Sequence, residues 1–182
     1  MEPSKALSRV TIVPSHPPAK HPDRVSSWDV PGRYRYFGQG GMRVMEPNMD
    51  LMEDMLQWGP DVIILSLGGN DITASCQPRD IGLAILGLCR MVKARGVATV
   101  VVAAICGRWV FRDPALTPDQ FSRIGNAVAK YVMRYFPVSS MMYVCERDVH
   151  WTRDGVHLSA AGLEEYLNSL RLKLMRILPS KD

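Results

Sequence analysis

The sequence predicts an α/β domain built on a parallel sheet, and two observations carry that expectation. Short apolar or β-branched runs alternate with stretches of helical spacing along the 182 residues, the order expected of successive strand–helix–strand units. Two of the runs, Asp61–Leu67 and Val97–Ile105, are almost wholly apolar and are flanked by turn residues. They are the right length for strands buried on both faces, which parallel sheets require.

In chain order, Arg9–Val13 reads as a short β-branched strand. Pro14, Pro17, Pro18 and Pro22 follow within nine residues, a density at which no regular helix survives. Residues 14–33 are therefore expected to be irregular. A second short strand fits Tyr34–Phe37, followed by Gly38-Gln39-Gly40-Gly41. Pro47–Trp58 places Met49, Met52, Met55 and Leu56 at helical spacing and stops at Gly59-Pro60; this methionine stripe reads as core packing. Pro78–Arg95 is helical in pattern and ends at Gly96. Thr117-Pro118 supplies an N-cap and a proline at the first helical position, starting a helix that runs to about Tyr135. Met141–Cys145 reads as a last strand, and Ser159 caps a final helix through about Ile177. There is no internal repeat or low-complexity tract, so residues 1–182 are expected to form a single domain.

Composition narrows the class. The hydrophobic fraction is 47% and the charged fraction 22%, as in an ordinary globular protein. No apolar run is long enough to span a bilayer, and the first residues lack the apolar core of a secretion signal; a cytoplasmic location is the expectation. The formal charge of +4 comes from scattered Lys and Arg, apart from Arg171–Arg176, which reads as a solvated helix face rather than a nucleic-acid patch. Cys76, Cys89, Cys106 and Cys145 have no metal-site spacing and read as buried free thiols. His16 and His21, in the proline-rich stretch, are not read as metal ligands, and His150 reads as a surface or interface residue. No metal or other cofactor is expected.

The polar features fall at strand ends. Ser15 follows the first strand, Gly41 the second, Asn70 the third, and Asp154 and His157 the last. In an open parallel sheet, loops after the strands share one edge, where reactive groups collect. Asp154 stands three residues before His157, so one turn can deliver a carboxylate and an imidazole to one spot, as needed to orient a general base. A serine activated by that base could attack an acyl carbon. The backbone N–H groups of Ser15 and Gly41 and the Asn70 amide could receive the oxyanion. Asp71 reads as a brace for its loop. Trp109 and Phe111 lie on the same edge, where they serve either as pocket walls or as packing.

These blocks resemble the SGNH hydrolases, the GDSL-type esterases and lipases. Gly68-Gly69-Asn70-Asp71 matches the Asn block after a buried strand. Asp154-Gly155-Val156-His157-Leu158-Ser159 matches the last block, and Phe37-Gly38-Gln39-Gly40-Gly41 the Gly block, with Gly41 as its oxyanion glycine. The resemblance covers nearly the whole chain. It implies a three-layer flavodoxin-like fold of five parallel strands in the order 2-1-3-4-5, with helices on both faces. It also implies hydrolysis of a small acyl or acetyl ester through Ser15, His157 and Asp154.

The first block departs from the pattern. Where the family has Gly-Asp-Ser and then a helix, this chain has Val13-Pro14-Ser15 and then the proline-rich stretch. Ser15 stands either as a nucleophile in an altered loop or as an ordinary loop serine. The alternative to an esterase is therefore a module with the same fold that binds without turnover, conceivably of mobile-element origin.

Overall fold

Parallel pairing organises the molecule. The computed structural model of the chain describes residues 8–14, 32–136, 141–142 and 148–178. Its elements are β1 (Arg9–Pro14), β2 (Arg33–Tyr36), α1 (Met49–Gln57), β3 (Val62–Ser66), α2 (Pro78–Ala94), β4 (Thr99–Ala103), α3 (Pro118–Met133), β5 (Met141–Met142) and α4 (Ala160–Ile177). Two single 3₁₀ turns, Gly69–Asp71 and Asp148–His150, were not foreseen from the sequence. The strands form one five-stranded sheet in the order β2-β1-β3-β4-β5, and every pair is parallel. This is the topology the family resemblance implies. Ser15, His16, His21, most of the proline-rich stretch, Cys145 and the predicted end of the last strand lie outside the described residues.

The uninterrupted apolar runs follow from burial on both faces. Side chains alternate along a strand, and here each set meets a helical layer. Ile63 and Leu65 of β3, with Val13, Val100 and Val102, pack against α1, α2 and α3 through Met52, Met55, Ile85, Leu86, Phe121 and Val128. Val62 and Ile64, with Val10, Ile12 and Val101, pack against Tyr166, Leu167, Leu170 and Leu174 of α4. Cys89, fully buried in the first layer, has its thiol pushed up to about 12 by that burial. It is a buried free thiol, as the sequence implied, whereas Cys76 and Cys106 are free but only half-buried.

Element ends differ from the sequence reading by identifiable local bonds. Helix α1 starts at Met49 because the Asn48 side chain caps it, accepting from Leu51 N at 3.0 Å. Thr117 and Gln120 make the reciprocal capping box that opens α3. Strand β4 is shorter than its apolar run. Val97 instead closes the end of α2, its N–H donating to Val92 O, and Ile105 packs on the first core layer from beyond the strand. No described helix is long and apolar enough to cross a membrane.

Leu170 is fully buried where α4 meets the sheet. Leu170→Ala is expected to lower stability by about 2–5 kcal/mol through lost transfer energy and the cavity left behind. Urea unfolding should show a lower midpoint with an unchanged slope.

Candidate active site

All the strands run in one direction, so the loops after β2, β3, β4 and β5 leave the sheet at the same edge. The turn after β3 carries Asn70. Its Nδ2 donates to Met42 O at 3.0 Å, and its Oδ1 accepts from Arg108 Nη1 at 3.2 Å. A carbonyl on one side and a guanidinium on the other set the orientation of the amide. An amide nitrogen has two hydrogens, and Met42 O takes one of them. Asp71, next in sequence, is nearly fully buried. Its carboxylate accepts from Val44 N at 2.9 Å and Met45 N at 3.0 Å, and Arg43 Nε lies 3.5 Å away. It is a brace, as expected, but of the loop after β2 rather than of its own loop. Asn70 and Asp71 thus bind that loop, which contains Gly41, to the end of β3.

The turn after β5 is wired as tightly. Asp154 Oδ2 lies 2.5 Å from His157 Nδ1. The other carboxylate oxygen is 2.6 Å from the Thr152 hydroxyl, 2.8 Å from Val156 N and 2.9 Å from His157 N. Donation from the His157 backbone, then from Thr152, the His157 ring and Val156, holds the Asp154 carboxyl far below the usual carboxylate range. An antiparallel bridge between Trp151 and Leu158 closes the turn. Ser159 fastens it to α4: its hydroxyl donates to Val149 O at 2.7 Å and accepts from Gly162 N at 3.1 Å, and its N–H donates to His150 O. Gly162 is needed for this seat, because a Cβ there would stand 2.0 Å from the His150 carbonyl oxygen.

The loop after β4 joins these two halves. Trp109 N donates to Gly155 O at 2.8 Å, beside the Asp154–His157 pair. Arg108 reaches Asn70, with its guanidinium 5.1 Å from the Phe121 ring centre. Phe111 stacks on Phe121 and is packing, whereas Trp109 is about half exposed on the site edge. Beside Gly41 opens a recess of about 330 Å³ whose lining includes the polar residues Gln39, Arg43, Glu46 and Asn48. No group of three or more metal-ligating side chains occurs among the described residues.

Of the residues singled out from sequence, Asp154 and His157 are in direct contact. Asn70 and the Gly41 loop are joined through Met42. β1 extends through Pro14, which pairs with Ser66, and β2 starts at Arg33, so both ends of the stretch expected to be irregular belong to strands. Ser15 comes next in sequence and lies outside the described residues. Arg108, Arg112, Thr152 and the close approach at Gly162 were not recognised from sequence. Only the position of the two arginines, after a strand on the reactive edge, could have pointed to them.

Two outcomes are expected. The folded pKa of Asp154 is depressed, so its contribution to stability is present above the unfolded value of about 3.9. It should be lost progressively as pH falls below that value and through the lower folded one. A carbon-13 titration of the Asp154 carboxyl should therefore give a midpoint well below that of an unfolded peptide. Gly162→Ala should displace the 148–159 turn and cost about 1–3 kcal/mol, read by thermal unfolding together with a shift of the His157 ring signals.

The chain matches the family model of the GDSL-like lipase/acylhydrolase family over residues 13–164. A comparison with curated proteins finds no match. Among solved structures, one similar to this chain is a Bacteroides fragilis protein assigned as an acylhydrolase, with TM-score 0.78 and 19% identity over 97% of this chain and 91% of that one. Another is a GDSL-like lipase from Bacteroides thetaiotaomicron, with TM-score 0.73 and 16% identity over 98% and 93%. The esterase EstA from Pseudoalteromonas sp. is also similar, with TM-score 0.65 and 14% identity over 93% and 100%. At these identities the structures speak to the fold. The family model spans the blocks around Gly41, Asn70, Asp154 and His157, and the chain belongs to the GDSL-like lipase/acylhydrolase family.

Proposed function

We propose that this chain is a serine esterase that cleaves a small acyl or acetyl ester. Ser15 is the nucleophile, His157 the general base and Asp154 the carboxylate that orients it. The observation that carries the reading is the hydrogen bond between Asp154 Oδ2 and His157 Nδ1. With Nδ1 bonded to the carboxylate, Nε2 takes the serine proton and returns it to the leaving alcohol. Three further donors on the opposite oxygen keep Asp154 ionised and fixed, so the imidazolium formed during attack meets a preorganised charge.

The oxyanion donors in this reading are the Ser15 and Gly41 backbone N–H groups and the second hydrogen of Asn70 Nδ2. The bonds from Asn70 to Met42 and from Arg108 to Asn70 support the last assignment, because they restrain the amide before substrate arrives. No step calls on a metal or organic cofactor. Val13-Pro14 in place of Gly-Asp is compatible with a strand that continues to the residue before Ser15: valine favours extended backbone, and proline is tolerated at a strand end.

Purified protein is expected to hydrolyse a short-chain 4-nitrophenyl ester, with Ser15→Ala and His157→Ala both falling to background. Asn70→Ala should lower kcat by about 10²–10³-fold with little change in KM. A fluorophosphonate probe should label Ser15, and absence of that label together with absence of turnover would remove the assignment.

A further inference from the structure

Two arginines of the loop after β4 stand at the Gly41–Asn70 side of the site. Arg108 donates to Asn70 Oδ1, and its Nη2 lies so close to Gly69 that a Cβ there would be 2.7 Å away. Arg112 lies over Gly41, its Nη2 3.3 Å from where a Cβ would stand. Neither forms an ion pair with a carboxylate among the described residues. The nearby acids are engaged elsewhere. Asp113 accepts from Ala74 N at 2.8 Å and Ala115 N at 2.9 Å, and Glu46 pairs with Arg43 at 3.4 Å. Burial chiefly, and the neighbouring Arg112 charge as well, pull the Arg108 guanidinium below its usual value. A guanidinium held largely out of water with a second positive charge nearby is unfavourable, and a bound anion would offset that cost.

We propose that Arg108 and Arg112 form an anion subsite that selects esters whose acyl portion carries a carboxylate or phosphate. The proposal rests on the esterase reading above. A guanidinium fork suits a planar or tetrahedral oxyanion. Arg108 is fixed by Asn70 and Phe121, while Arg112 is exposed and free of such anchors, so Arg112 is the member that closes on the ligand. The charge is assigned to the acyl portion because two apolar side chains lie at the other side of the site. Exposed Trp109 and Val110 pack over Gly155 next to the Asp154–His157 pair, where a leaving alcohol takes up its proton. The arginines border the Gly41–Asn70 side.

The test compares 4-nitrophenyl hydrogen adipate with 4-nitrophenyl hexanoate, esters of equal chain length with and without a terminal carboxylate. The expected result is a higher kcat/KM for the adipate ester. Arg112→Gln should remove about tenfold of it and change hexanoate turnover less than about twofold. Arg112→Lys should restore part of the preference, and added salt should weaken it. Equal losses on both esters, or no preference in the wild type, would overturn the proposal. Adipate dianion and inorganic phosphate are titrated calorimetrically in parallel. Binding of either that is lost in Arg112→Gln supports the subsite, even if neither ester is turned over and the esterase reading alone fails. Absence of binding, or equal binding in wild type and variant, counts against the subsite whatever the turnover.

Discussion

The parallel ladder between β1 and β3 sets the position of the rest of the site. It runs from Val10 opposite Val62 to Pro14 opposite Ser66, and β1 pairs with β2 on its other side. Because the strands are parallel and in this register, the chain passes into the Ser15 block and the Asn70 block from neighbouring points on one edge. The same ladder divides side chains between the two core layers. Ile63 and Leu65 face α1 to α3, and Val62 and Ile64 face α4. A slip of one residue would exchange the two sets and move the site blocks relative to each other.

A sheet edge positions where loops begin but does not hold their tips. That is done here by polar side chains that bond to backbone. Asp71 holds Val44 and Met45, Asn70 holds Met42, and Asp154 holds Val156 and His157. The two carboxylates do this in different surroundings. Asp71 is buried and spends its charge on the loop after β2, whereas Asp154 is half exposed and keeps one oxygen for the imidazole. The loop after β4 then reaches both sides, at Asn70 through Arg108 and at Gly155 through Trp109. A change in that loop should therefore be felt at both ends of the site.

Much of this was legible in the chain. The Asn block could be read from its place after a buried strand, and the Asp154–His157 pair because its geometry is local: an i,i+3 contact needs only a few residues. The fold class could be read because burial on both faces leaves long apolar runs. The arginines could not be read. A charged residue in a loop looks the same in sequence whether it is solvated or packed against Phe121 and Asn70. The need for Gly162 could not be read, because its constraint is the His150 carbonyl, which approaches only once the turn has folded back. The apolar run at Val97–Ile105 overstated β4, since its ends are buried by contacts outside the sheet.

By itself, then, the sequence determined an alternating α/β chain, the order of its polar blocks and the pairing of Asp154 with His157. All of these depend on residue type and short spacing. Only the tertiary structure decided how those blocks are held together: which backbone groups Asn70 and Asp71 bind, where Arg108 and Arg112 stand, and why residue 162 must be glycine. These are contacts between segments far apart in the chain, and they exist only after the parallel sheet has brought its loops to one edge.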